Sequence, residues 1–241
     1  MKNQIYIDRD FGWFCGVFDK NQKHRHYAIQ LSVPLDEKII IETPQLTIKS
    51  DAPILIKSNT VHRVISDTPH FLLLVNPAST IGHFWNHVAD KEAQKLGVSA
   101  AIDLQNFLVN YRHQPLPASE INSQIKSYDC FCKSAIHQGD GRIEKALTYL
   151  LKNAERIVPV EEIANHSRLS PSRFLHLFKQ ETGITYRRSQ LWNKLTKSLS
   201  QLSEMSLTEL AYANGFSDSA HFSRTFKENF GFSPRDFLKI S

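Results

Sequence analysis

No segment of the chain approaches the roughly 18 uninterrupted apolar residues that a membrane-crossing helix needs. Its first residues, MKNQIYIDRDFGWFCGVF, also lack a long apolar stretch behind a basic start. Both absences argue against a membrane partner and a secretory leader, so the expectation is a soluble, cytoplasmic protein. Cysteine is scarce: Cys15, Cys130 and Cys132 are an odd set with no CxxC pair. That excludes a disulfide framework and a zinc finger and leaves ordinary thiols. Glycine is sparse as well, with only Gly12, Gly16, Gly82 and Gly97 before residue 100.

The chain has 241 residues, 41% of them hydrophobic, enough for one large or two smaller domains with real cores. Its net charge of +5 is unevenly spread. Residues 139–241 hold 15 Lys and Arg against 11 Asp and Glu, whereas residues 1–138 hold 14 against 13. The mild surplus at the C-terminal side permits an anionic partner without requiring one.

Two textures divide the chain. From Ile5 to about Pro77, short β-prone runs (HYAIQLSV, KIIIET, QLTIKS, PILIKS, HRVIS, HFLLLVN) alternate with breakers, which predicts a small barrel or sandwich. Past Ala78, IGHFWNHVADKEAQKL, AAIDLQNFLVNYRHQ and SEINSQIKSYDCFCKSAIHQ carry apolar residues at helical spacing. These helices are suited to packing on the barrel or to pairing two subunits. The stretch HQGDGR is the best boundary, because Gly139 and Gly141 weaken helix while Asp140 can cap the helix that begins after it. The expected domains are therefore 1–138 and 139–241.

The second domain contains a repeat. VEEIANHSRLSPSRFLHLFKQETGIT and LTELAYANGFSDSAHFSRTFKENFGFS pair Ile163 with Leu210, Ala164 with Ala211, Leu169 with Phe216 and Ser170 with Ser217. After one extra residue in the second copy, Phe178-Lys179 pairs with Phe226-Lys227, and Gly183 with Gly231. Each copy reads as a short helix, a tight turn and a second helix capped by Ser170 or Ser217, with Pro171 suited to the first turn. On a helical wheel Phe174, Leu177 and Phe178 face inward while Ser172, His176 and Lys179 face outward, with Leu175 on the flank. In the second copy Phe222, Thr225 and Phe226 face inward; Ala220, Arg224 and Lys227 face outward, flanked by His221 and Ser223. A single solvated amphipathic helix would look the same, but the repetition favours two recognition helices. The segment YRRSQLWNKLTKSLSQL joins the units as one helix, holding them far enough apart to address successive major grooves.

The matches EEIANHSRLSPSRFLHLFKQETGIT and TELAYANGFSDSAHFSRTFKENFGFSP mean that residues 142–240 resemble the AraC/XylS-type transcription regulators. The resemblance implies binding to promoter DNA through two helices in adjacent grooves, usually activating transcription by contact with RNA polymerase. Carried over by position are Ser172, Leu175 and His176 in the first recognition helix and Ser219, Ala220, His221, Ser223 and Arg224 in the second. With them stand Arg173, Lys179 and Lys227, the last as the candidate phosphate contact. The chain departs from the family pattern at Tyr186, where Pro is common, and at Lys194 and Ser198, where Arg and Ala are usual. Leu175 cannot hydrogen-bond a base edge but can touch a thymine methyl, so direct readout is expected to fall more on Arg224.

A β-rich half ahead of such a module resembles the cupin-type effector domains of many of these regulators. The expected architecture is α+β and multidomain: a cupin-like β-barrel with helices, then an all-α domain of two helix-turn-helix units and a linker helix. His24, His26, Gln30 and His62 are the candidate effector pocket. Residues two apart on a strand share a face, so His24 and His26 can converge with His62, which makes a metal site chemically feasible. Gln30 stands near the place of the metal-binding cupins' Glu, however, and regulators of this kind use the cavity for a small molecule without a metal. No cofactor and no catalytic residue are expected; Trp13, Phe14, Tyr27 and Trp85 suit the core as well as a pocket. The expected partners are duplex DNA, RNA polymerase, a small-molecule effector and a second copy of the chain. Against this regulator stand a metal-dependent cupin enzyme fused to a DNA-binding module and a helical interaction scaffold. The scaffold leaves the repeated capped helices unexplained.

Overall fold

The computed structural model describes residues 3–17, 23–112, 114–128, 140–153, 156–199, 201–231 and 233–240. Cys130, Cys132 and the expected boundary at 138/139 lie outside the described residues. The first part holds strands β1 (Gln4–Ile7), β2 (Phe11–Gly16), β3 (Ile29–Pro34), β4 (Ile39–Glu42), β5 (Thr47–Ser50), β6 (Ile54–Ile56), β7 (Arg63–Ile65), β8 (His70–Val75) and β9 (Ala93–Lys95). Helices α1 (Thr80–His87), α2 (Ser99–Val109) and α3 (Ala118–Ser127) accompany them. The second part is helical: α4 (Gly141–Lys152), α5 (Val160–His166), α6 (Pro171–Thr182), α7 (Tyr186–Leu199), α8 (Leu207–Ala213), α9 (Ser219–Phe230) and α10 (Pro234–Ile240).

The α+β, two-part architecture agrees with expectation, but the described strands do not close a barrel. They form an antiparallel six-stranded sheet in the order β1-β2-β8-β3-β6-β9 and an antiparallel three-stranded sheet β5-β4-β7. Period-two alternation explains what covers each face of the larger sheet. Phe11, Trp13, Cys15, Leu31, Val33, Phe71 and Leu73 point into a core shared with Trp85, Leu104, Leu108, Ile121 and Ile125 of α1, α2 and α3. Phe14, Leu72 and Leu74 point the opposite way, into a cluster with Trp192, Phe222, Phe226 and Phe230 of the helical part. Ile54 and Ile56 meet Ile39, Ile41 and Val64 of the small sheet. β2, β3 and β8 are thus buried on both faces, the physical reason for the unbroken run FLLLV and for the open sheet.

Of the aromatics suited to core or pocket, Trp13, Phe14 and Trp85 are buried, and Trp13 Nε1 donates to Asn122 Oδ1 at 2.9 Å. Burial pushes the Cys15 thiol up to about 12, which makes it an inert core residue. The apolar faces of α1, α2 and α3 are used within the chain against the sheet. Among the described residues, no helix is long and apolar enough to cross a membrane.

The helical part is fastened along the seam. Trp192 Nε1 donates to the Arg9 carbonyl, Tyr27 N–H donates to the Glu228 carbonyl at 2.9 Å, and Asn86 Nδ2 donates to the Thr182 carbonyl at 3.1 Å. Arg188 pairs with Glu228 at 2.7 Å and lies 4.3 Å from the Tyr27 ring centre.

Candidate nucleic-acid interface

The repeat in the sequence is a repeat in space. In both copies a five-residue-apart backbone bond closes the turn: Leu169 N–H donates to Ala164 and Phe216 N–H donates to Ala211, each at 2.9 Å. The left-handed residue this turn needs is Gly215 in the second copy, at φ 71°. The first copy puts Arg168 there, at φ 55°, a position where a side chain is strained. Nothing in an arginine announces that conformation, so only the equivalence with Gly215 signals it.

The second helices, α6 and α9, have 12 residues each and end in left-handed glycines, Gly183 and Gly231. Ser170 caps α6 as expected, accepting from Arg173 N–H, with Pro171 in the first turn. The expected Ser217 cap is corrected: Asp218 caps α9, accepting from His221 N–H at 2.7 Å. The extra residue of the second copy therefore precedes the cap, and Ser217 Oγ turns to Asp218 Oδ2 and His221 Nδ1 at 3.0 and 3.1 Å. The His221 N–H bond is the main reason the Asp218 carboxyl sits below its usual range.

Burial sorts the faces as the wheel did. Phe174, Leu177, Phe178, Phe222, Thr225 and Phe226 are buried. Ser172, Arg173, Leu175, His176 and Lys179 are exposed on α6, Leu175 to 42%. On α9, Ala220, Arg224 and Lys227 are exposed, while Ser219, His221 and Ser223 are half-buried. Phe216, Phe222, Phe226 and Phe230 pack in sequence, edge-on or tilted, with ring centres 4.7–5.9 Å apart, and this file sets the roll of α9. The joining helix α7 has 14 residues, roughly 21 Å at 1.5 Å each.

The departures from the family pattern are absorbed locally. Tyr186 is buried edge-on against Phe174 and Phe178 and donates its hydroxyl to the Val158 carbonyl at 2.7 Å. Lys194 Nζ donates to the Gly215 carbonyl at 3.2 Å, bracing the second turn. Ser198 Oγ donates to Leu195 one turn back.

His24, His26, Gln30 and His62 do come together, with imidazole centres 4.5–5.6 Å apart and His26 and His62 exposed to only 3% and 1%. Burial holds His26 down to about 4 and His62 to about 2, with neighbouring imidazoles adding to both, so both rings are neutral at pH 7. Their Nδ1 atoms face the Ala28 and Thr60 carbonyls at 3.0 and 2.8 Å and carry the protons. Their Nε2 lone pairs then converge on the Gln30 amide at 2.9 and 3.1 Å. As placed, Gln30 turns its oxygen to both rings and donates its NH2 to Ser32 Oγ at 2.9 Å; the flipped amide would donate to the Nε2 lone pairs of His26 and His62 and accept from the Ser32 hydroxyl. This cluster also touches the second recognition helix: a methyl on Gly231 would lie 3.2 Å from His24 Nε2 and 3.3 Å from His26 Cδ2.

Residues 163–240 match the family described as "Helix-turn-helix domain". The HTH-type transcriptional activator RhaS of Yersinia pestis (strain Pestoides F) is 40% identical over 100 residues, covering 40% of this chain. The C-terminal domain is of the AraC/XylS type. The match spans 36% of RhaS, about a third of that relative's length. The whole fold is similar to ToxT from Vibrio cholerae O395, at TM-score 0.51 and 15% identity over 99% of this chain and 98% of that one. Unsaturated fatty acid-bound ToxT of strain SCE256 gives 0.52 and 15%, over 99% and 95%. The AraC-type domain thus sits behind a sheet-rich domain in the same order as in these structures.

Proposed function

We propose that the chain is a sequence-specific DNA-binding transcriptional regulator, an activator in which α6 and α9 enter successive major grooves of promoter DNA. The observation that carries this is the pair of equally long, separately capped helices whose inner faces are phenylalanine and whose outer faces are small, polar and basic. Arg224, exposed in the second turn of α9, reads a base edge; Lys227, about one turn further, neutralises phosphate. Leu175 offers apolar contact to a thymine methyl.

In this reading the sheet-rich domain receives a small-molecule effector and passes the signal through its contacts with α9. Ile5, Ile7, Phe14, Leu72, Leu74 and Phe230 line that seam and leave a cavity of about 10 Å³, so an effector entering there has to move α9. The histidine cluster presses on the same end of that helix, at its C-cap Gly231. The protein acts in the cytoplasm as a dimer with RNA polymerase as partner, and has no catalytic role. A cupin enzyme would need His24, His26 and His62 open to substrate, whereas His26 and His62 are buried and turned to Gln30.

The test is Arg224→Ala measured on a selected duplex and on its single-base-pair variants. Binding to the selected duplex should weaken by about 1–3 kcal/mol, with preference lost at one base pair. Unchanged discrimination would refute the assignment of Arg224.

A further inference from the structure

We infer that His83, His87 and Glu181 form a divalent transition-metal site, of the kind zinc fills, clamping α1 of the sheet-rich domain to the end of the first recognition helix. His83 and His87 stand one turn apart on α1, so both rings project from one face. Glu181 comes from the last turn of α6. The donor atoms of the three side chains all lie within 4.8 Å of one another. His83 Nε2 is 3.4 Å and His87 Nε2 is 4.0 Å from Glu181 Oε2. Ligands about 2.1 Å from a tetrahedral zinc lie about 3.4 Å from each other, so only His87 has to close in.

Charge and tautomer point the same way. Glu181 is only 12% exposed, and the ion pairs it makes among the described residues are with these two histidines. The Asp140 N–H also donates to it, at 3.0 Å. A carboxylate so enclosed needs a positive charge beside it. His87 Nδ1 lies 2.8 Å from the His83 carbonyl, which holds the proton on Nδ1 and turns the Nε2 lone pair toward Glu181. That is the outer hydrogen bond which orients metal-bound histidines, and in this tautomer no hydrogen lies between Nε2 and the carboxylate. Two imidazoles and one carboxylate are a donor set for zinc, with a fourth position open at the solvent side, where His87 is exposed. The cluster His24, His26 and His62 differs in having a neutral amide, Gln30, set against the Nε2 atoms of His26 and His62.

The ligand claim stands without the DNA-binding reading; its consequence for regulation, that metal fixes α6 against the sheet-rich domain, rests on it. The experiment uses the full chain stripped with a chelator, then titrated with zinc alone and, separately, with cobalt(II). One equivalent of zinc should bind and raise the melting temperature. His87→Ala and Glu181→Gln should each lower zinc affinity by more than the roughly 10–100-fold that loss of an outer partner costs, while His62→Ala should not. The cobalt complex should show no thiolate charge-transfer band, which separates this site from the cysteines. His87 is a surface position, so the fold of its variant is checked by metal-free melting, expected to match the stripped parent within a few degrees. Absence of zinc binding, retention by both variants, loss in His62→Ala alone, or a thiolate band would overturn the site. Zinc binding as described with no DNA binding at any salt would leave the site standing and remove only the regulatory consequence.

Discussion

The two helix-turn-helix units share a turn, a length and a cap position, yet they are fastened to the rest of the molecule by different chemistry. The first meets α1 largely through polar groups: the Glu181 carboxylate with His83 and His87, and the Thr182 carbonyl with Asn86. The second presses Phe222, Phe226 and Phe230 onto Phe14, Leu72 and Leu74 of the large sheet. Apolar burial is indifferent to protons and ions, whereas a buried carboxylate among imidazoles depends on both. One sheet-rich domain therefore holds its two reading heads by separable means, and changes aimed at each should be distinguishable.

The largest effect should come from the apolar seam. Phe226→Ala is expected to destabilise the protein by about 3–5 kcal/mol in urea unfolding. It should also speed hydrogen exchange at the amides of Phe14 and Leu72, which Phe178→Ala should leave protected. Equal exposure of those amides in both variants would erase the distinction between the units.

Acid acts on the histidine cluster beside the second unit. The folded values of His26 and His62 lie below the unfolded value near 6.5, so the unfolded chain binds the protons first. Stability is complete above about pH 6.5 and falls as the pH drops toward 4, by about 1.4 kcal/mol per pH unit for each ring. Unfolding free energies measured from pH 7.5 to 5 should follow that slope, and His62→Gln should reduce it. A flat profile would mean that these rings do not stay neutral in the fold.

The smallest effect sharpens the comparison at the turn. Gly215→Ala should cost about 1–2 kcal/mol, because a side chain is forced into the left-handed region. Arg168→Ala at the equivalent place should change stability by less than about 0.5 kcal/mol, since that strain is already present. Equal losses in thermal melts would show that the two turns are not the same structure.

Much of this architecture is legible in the sequence, and the exceptions have physical causes. The inward and outward residues of α6 and α9 follow from helical periodicity, and burial agrees with it at every position named. Periodicity does not choose the cap of α9, because Ser217 and Asp218 are both good caps and only the backbone decides which one reaches the His221 N–H. The barrel expectation fails because alternation along one strand cannot tell whether its second face meets solvent, a second sheet or another domain; Leu72 and Leu74 meet α9. Glu181 is invisible in the sequence as a partner of His83 and His87, since 98 and 94 residues separate it from them and only the domain seam unites them. His24, His26 and His62, by contrast, are found from spacing alone, although Gln30 gives the cluster a role that spacing does not disclose.

The most direct test of two reading heads on one rigid support is hydroxyl-radical footprinting of the full chain on duplexes selected from a random pool. The account predicts two protected segments on one face of the DNA, about 10 base pairs apart centre to centre. Arg224→Ala should weaken the protection at one segment, and a double substitution of Ser172 and His176 should weaken it at the other. A single protected segment insensitive to the α6 substitutions, or no selected duplex at all, would contradict it.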